Sequence, residues 1–126
     1  PKAQAFPFAL RRALLNILMN AIRFAPRGTE IGVTLNRVGD SVVTHVLDRG
    51  PGIPEAMRKR IFEMFVTGRP EGTGLGLFLA RTAVRRCGGE IRAFPRAGGG
   101  ADIRVTLPAA RAADAQKSPP PHPPSL

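Results

Sequence analysis

Two stretches with a helical repeat of apolar residues set the limits on what this chain can become, because each breaks off at proline or glycine and adjoins paired alternating segments. Between Phe8 and Phe24, apolar residues fall at Leu10, Leu14, Leu15, Leu18 and Ile22 with polar ones between, a helical period. Pro26 and Gly28 stop that helix. Glu30–Arg37 and Ser41–Asp48 alternate apolar and polar residues around Gly39-Asp40, which predicts a hairpin. Pro54 suits the first turn of a short helix that Ile61 and Phe62 pin to the core. A second apolar-periodic segment, Leu75–Arg86, ends at Gly88-Gly89. Glu90–Pro95 and Ala101–Leu107, joined by the glycines 98 to 100, predict a closing hairpin. This order implies an α+β fold, an antiparallel-rich sheet with helices packed on one face.

The 126 residues suffice for one domain, expected over residues 1–108. From residue 109 onward the sequence turns small, polar and proline-dense, too poor in apolar surface to offset ordering entropy, so 109–126 is expected to be a disordered tail. No run approaches the ~20 apolar residues of a membrane span, and no charged-then-apolar signal opens the chain. The single cysteine, Cys87, excludes an internal disulfide or a thiolate-rich metal site; it is expected to be packed at a helix end. Net charge is +10, carried by sixteen arginines and three lysines. Such a balance attracts nucleic acid, anionic membrane or phosphorylated ligands without selecting among them. The arginines are scattered, and Trp and Tyr are absent, so nucleic acid is not the expected partner.

Four segments carry chemistry. Asn16 and Asn20 are four apart and Arg23 follows three later, so all three share one face of the first helix. The asparagines either cap nearby backbone or face solvent, or else supply neutral hard oxygen to Mg²⁺ while the guanidinium holds phosphate. Asp48 to Pro54, DRGPGIP, puts a hydrogen-bond acceptor and two permissive glycines, Gly50 and Gly52, at a strand end. Ile61 to Phe65, IFEMF, anchors a loop running from Val66 to Glu71 that contains Arg69. Gly72, Gly74 and Gly76 lead into a helix N-terminus, where N–H groups and the dipole favour phosphate. This run matches neither the P-loop nor the Rossmann fingerprint.

In this order and spacing, the segments resemble the ATP-binding domain of sensor histidine kinases, over about Leu10 to Leu107. NILMNAIRFAP looks like that family's asparagine box, DRGPGIP its first glycine box, IFEMF its phenylalanine box and GTGLGL its second glycine box. The resemblance implies a Bergerat-type α/β sandwich, a mixed and mainly antiparallel sheet backed by three helices, with the first strand short or missing here. It implies Asn20 as the Mg²⁺ ligand, Asn16 and Arg23 at the phosphates, and Phe24 beside adenine. Asp48 would receive the adenine amino group while Gly50 and Gly52 let backbone approach the purine. Gly72, Thr73, Gly74, Leu75 and Gly76, with Arg69, would hinge the lid and cradle phosphate. Mg²⁺-ATP would then donate its γ-phosphoryl to a histidine on a separate dimerisation and phosphoacceptor domain, and indirectly to a response regulator. The whole protein would be a homodimer, this part of it a monomer, and the setting the cytoplasmic side of an inner-membrane sensor.

His45 lies mid-strand and His122 among prolines, so neither has an acceptor-like context. Two other enzyme classes of the superfamily remain: an ATP-hydrolysing clamp, as in type II topoisomerases or MutL, and an anti-sigma-factor serine kinase. Both need a general base, and the clamp relatives carry glutamate where this chain has Asn16, an amide that cannot act as one near neutral pH. A basic interaction module without enzymatic activity is the remaining alternative.

Overall fold

The first helix buries one narrow line of small and branched residues. Leu10, Ala13, Ile17 and Ala21 recur at three- and four-residue intervals, and each is at most 4% exposed. In the computed structural model, which describes residues 2–66 and 74–109 and side chains from residue 8 onward, this helix, α1, spans Lys2–Phe24. Strands β1 (Gly32–Val38) and β2 (Ser41–Leu47) follow, then 3-10 turns at Glu55–Met57 and Arg60–Phe62. Helix α2 (Gly76–Arg86) and strands β3 (Glu90–Pro95) and β4 (Ala101–Pro108) complete the order. The expectations for Arg69, Gly72 and Thr73, and for the tail beyond residue 109, lie outside the described residues.

The strands form a four-stranded sheet in the order β1-β2-β4-β3, with every neighbouring pair antiparallel. The hairpins turn at Gly39-Asp40 and at Gly98 to Gly100, as their sequences predict. Helices lie on one face only. Val46 of β2, Ile91 and Ala93 of β3, and Ile103, Val105 and Leu107 of β4 meet Ile17, Ala80 and Val84 in one core. Phe62 joins it at 3% exposure, with Ile61 packed alongside. Thus the helical layer consists of α1, α2 and the 3-10 segment, the α+β sandwich that the pattern implies. Among the described residues, none of the helices meets the length and hydropathy of a membrane span.

One expectation about α1 changes. Leu15 and Ile22 belong to the apolar set in sequence, yet each is 56% exposed. Two residues along a helix is about 200° of rotation, so burying Ile17 turns Leu15 outward. The alanines take the inner line because α1 packs along α2, where Ala80 is fully buried. β1 is an edge strand exposed along nearly its whole length, since the helices cover the sheet only from β2 onward.

The outer face of the sheet carries a polar cluster. His45 Nδ1 lies 3.0 Å from Asp102 Oδ1, and Arg104 Nε donates to Asp102 Oδ2 at 3.0 Å. The same guanidinium sits 3.9 Å above the Phe94 ring, tying β2, β4 and β3 together. At the far end of α2, Arg85 Nε donates to Glu90 Oε1 at 3.1 Å. Burial alone would raise the Glu90 carboxyl, but Arg85, the Ile91 N–H and the charge of Arg92 outweigh it and leave the pKa below its usual value. Cys87 is buried just before the terminating Gly88-Gly89, as expected for a packed helix-end residue.

Ile17→Ala should cost about 2–5 kcal/mol, the usual range for emptying a filled core position. Leu15→Ala should stay within about 0.5 kcal/mol, as surface changes do. Urea unfolding of both variants checks this, and equal losses would contradict the assigned helix face.

Candidate functional site

A cavity of about 180 Å³ opens between the C-terminal half of α1, the start of α2 and the ends of β2 and β4. Its α1 wall is polar. Asn16, Asn20 and Arg23 all line it, and among the described residues none of their side chains makes a hydrogen bond or ion pair. Capping of nearby backbone, the structural alternative for the two asparagines, is therefore not what the fold does with them. Phe24 follows on the same wall.

Asp48 also lines the cavity, one residue beyond β2, and is only 4% exposed. Its Oδ1 accepts hydrogen bonds from the Gly50 N–H at 2.8 Å and the Ala101 N–H at 3.2 Å. The Asp48 N–H donates in turn to the Ala101 carbonyl at 3.0 Å. Both side-chain bonds converge on Oδ1, which leaves Oδ2 as the oxygen available to a ligand. Gly50 itself is not part of the wall. A Cβ there would meet the Phe24 carbonyl oxygen at 2.6 Å, so a glycine is needed to let the loop lie against the end of α1. Gly52 does line the cavity, together with Pro51 and Ile53.

The third wall is the start of α2, where Gly74, Gly76 and Leu77 border the cavity and Leu75 does not. Leu75 is the N-cap but offers no side-chain cap, so the first-turn N–H groups of α2 have no side-chain acceptor from that position. A Cβ on Gly76 would sit 4.0 Å from the Cβ of Asn16, which measures how closely this helix start approaches the asparagine face. Gly74 has φ +74°, and a Cβ there would lie 2.5 Å from the Phe65 backbone. The Phe65 N–H donates to the Gly74 carbonyl at 2.9 Å, and Phe65 adopts the left-handed φ of 66°. The two ends of the intervening segment are thus pinned to each other.

Several wall residues carry no mark in the sequence. Met57, Ile61, Leu77 and Ile103 make the middle of the cavity apolar, and Ala101 holds Asp48. Hydrophobic residues of this kind are indistinguishable from core until the topology is known. Only the pairing of β2 with β4, which sets Leu47 opposite Asp102, shows that Ala101 must meet Asp48.

The arrangement combines three chemistries in one cavity: a carboxylate held by backbone, apolar side chains, and two amides with a guanidinium beside a helix start. That suits a nucleotide, which joins a flat base bearing an amino group to phosphates. Asp48 is the only carboxylate on the described wall, and its Oδ1 is committed to backbone N–H groups. Apart from Asp48, no carboxylate or imidazole lines the described wall. Nor does any group of three His, Cys, Asp or Glu side chains form a metal cage among the described residues.

Comparison with known proteins places the chain in a family. The family described as histidine kinase-, DNA gyrase B-, and HSP90-like ATPase matches residues 6–111. The sensor protein KdpD of Escherichia coli (strain K12) is 43% identical over 101 residues, covering 77% of this chain and 11% of KdpD. The mycobacterial sensor histidine kinase MprB has a solved structure with TM-score 0.72 and 35% identity, covering 77% of this chain and 68% of that one. ShkA, solved full-length in complex with AMPPNP, gives TM-score 0.71 and 33% identity over 79% of this chain and 21% of its own. This chain spans a small part of such sensor proteins. With the family match running through both helices, all four strands and every wall of the cavity, the chain belongs to the histidine kinase-, DNA gyrase B- and HSP90-like ATPases.

Proposed function

We infer that this chain binds Mg²⁺-ATP in the α1–α2 cavity and donates the γ-phosphoryl group to a histidine on a separate phosphoacceptor domain in two-component signalling. The observation that carries this reading is one cavity lined both by a backbone-fixed, buried Asp48 and by Asn16, Asn20 and Arg23, whose side chains make no hydrogen bond among the described residues. Asp48 Oδ2 accepts the adenine amino group, and Phe24, Ile53 and Met57 sandwich the apolar base. Arg23 and Asn16 meet the phosphates, with Gly76 and Leu77 presenting the α2 start to them. Thr73, Gly72 and Arg69, which precede this helix in sequence, extend the phosphate contacts.

The metal fits the donors that are present. Mg²⁺ prefers oxygen ligands, keeps several waters and binds through few protein groups together with substrate phosphates. An amide oxygen of Asn20, unengaged within the protein, meets that need, and Mg²⁺ there neutralises charge on the phosphates. The acceptor imidazole is itself the nucleophile, so the transfer needs positioning and charge neutralisation more than a protein base. Asn16, an amide that cannot act as a general base near neutral pH, favours this reading over an ATP-hydrolysing clamp. The full-length protein is a homodimeric sensor whose phosphoacceptor domain passes the group to a response regulator. KdpD and MprB are sensor proteins by name, and ShkA takes AMPPNP, which supports the ligand class.

Titration with an ATP analogue and Mg²⁺ tests the reading directly, and absence of binding at millimolar ligand would overturn it. Asp48→Asn should weaken adenine nucleotides by about 1.5–3 kcal/mol, the worth of a charge-assisted hydrogen bond. GTP, which presents a carbonyl where ATP has the amino group, should bind poorly to the unaltered chain.

Asn20→Ala should remove productive Mg²⁺-ATP binding and transfer to a supplied acceptor domain while leaving adenosine affinity nearly unchanged. Equal losses for adenosine and Mg²⁺-ATP in calorimetry would show Asn20 to be structural.

Gly74→Ala combines a left-handed φ with contact on the Phe65 backbone, so it should shift the segment ahead of α2. Triphosphate affinity should fall more than adenosine affinity. Parallel loss of both would place the defect elsewhere in the fold.

A further inference from the structure

The turn between β3 and β4 lies about fifty residues beyond Asp48 in sequence, and nothing in its composition marks it as part of a binding site. In the fold it sits directly on the Asp48–Gly52 loop. The β2–β4 ladder ends at the pair Leu47–Asp102, and past that point Asp48 is joined to β4 through Ala101, while the Gly50 N–H holds its Oδ1 from within the loop. Gly100 precedes Ala101 with φ +109°, and a Cβ on it would overlap the Asp48 carbonyl oxygen and lie 3.0 Å from the Arg49 Cα. On its other side, the Gly100 carbonyl oxygen would be 3.3 Å from a Cβ on Gly52. Gly100 is therefore wedged between two parts of the same loop. The turn is internally braced, with the Arg96 N–H donating to the Gly100 carbonyl and the Gly99 N–H to the Arg96 carbonyl, both at 3.0 Å.

Arg49 closes the arrangement from the other side. Its Nη1 donates to the carbonyls of Ala97 at 3.3 Å and Gly99 at 3.4 Å. A Cβ on Gly98 would come within 3.0 Å of that same nitrogen, so the guanidinium lies along the turn. These bonds are long and exposed, and each is individually weak. Their consequence is positional: they join the residue after Asp48 to the residues before Ala101.

We propose that Gly100 and Arg49 are positioning residues for base selection, acting through Asp48. The inference rests on the reading that Asp48 takes the adenine amino group. If the turn lifts away, the Ala101 N–H moves off Oδ1 and the carboxylate loses one of the two bonds that orient it. Oδ2 then no longer points at a fixed place, and a purine with an amino group at C6 loses its advantage over one with a carbonyl there. The phosphate end, built on α1 and α2, is untouched.

The experiment compares ATP with inosine triphosphate, each with Mg²⁺, on the unaltered chain and on Arg49→Ala, Arg49→Lys and Gly100→Ala. The unaltered chain should prefer ATP. Arg49→Ala should narrow that preference about three- to tenfold, in the range of one ordinary hydrogen bond, with inosine triphosphate affinity nearly constant. Arg49→Lys keeps a donor beside the turn and should recover part of the preference. Gly100→Ala should narrow it at least as far as Arg49→Ala, and if that variant does not fold, the two Arg49 variants decide. An Arg49→Ala chain with an unchanged ratio overturns the proposal, whether the two affinities stay put or fall together, since a merely structural role would weaken both ligands alike. Equal binding of the two triphosphates by the unaltered chain would instead refute the adenine role of Asp48, and this inference with it.

Discussion

The reciprocal contact between Asp48 and Ala101 is the joint on which the cavity depends. A carboxylate only 4% exposed is costly to bury unless its oxygens find donors, and here two backbone N–H groups supply them. The Asp48 N–H returns a bond to the Ala101 carbonyl, so the pair extends the antiparallel contact of β2 with β4 beyond its last ladder pair. Side-chain donors would have made the carboxylate's direction depend on rotamers. Backbone donors make it depend on the course of the chain at the start of β4 and in the loop after β2.

Helix α1 supplies the polar wall by dividing its circumference. Leu10, Ala13, Ile17 and Ala21 turn inward, and the small alanines allow the close approach of α2. That approach brings Gly76 and Leu77 beside Asn16, so core packing and the assembly of the polar wall are one event. The charge of the chain is distributed in the same economical way. Among the described arginines, only Arg23 borders the cavity, while Arg104 and Arg85 neutralise carboxylates at the sheet's outer face and at the end of α2.

Asp48 is tied to the first residue of β4, and Phe65 is bonded to Gly74 just ahead of α2. Phe65 holds a left-handed backbone with its ring largely in solvent, a conformation bulky residues adopt only where surroundings impose it.

How much of this was legible in the chain follows from what kind of information each feature needs. Local spacing sufficed for both helices, both hairpins and the asparagine face, since periods of 3.6 and 2 and glycine or proline breaks act within a few residues. Local chemistry likewise singled out Asp48, Gly52 and Gly74. Spacing could not tell which apolar residues of α1 face inward, and Leu15 and Ile22 turned out exposed because the neighbour that decides, Ala80, lies some sixty residues away. Nor could it mark Ala101, Ile103 or Gly100, whose roles exist only because β4 inserts between β2 and β3. The sequence by itself determined the elements and the chemical types at the site. The tertiary structure alone decided which backbone N–H groups orient the carboxylate and which apolar side chains wall the cavity, because contacts between distant segments are set by strand order and packing.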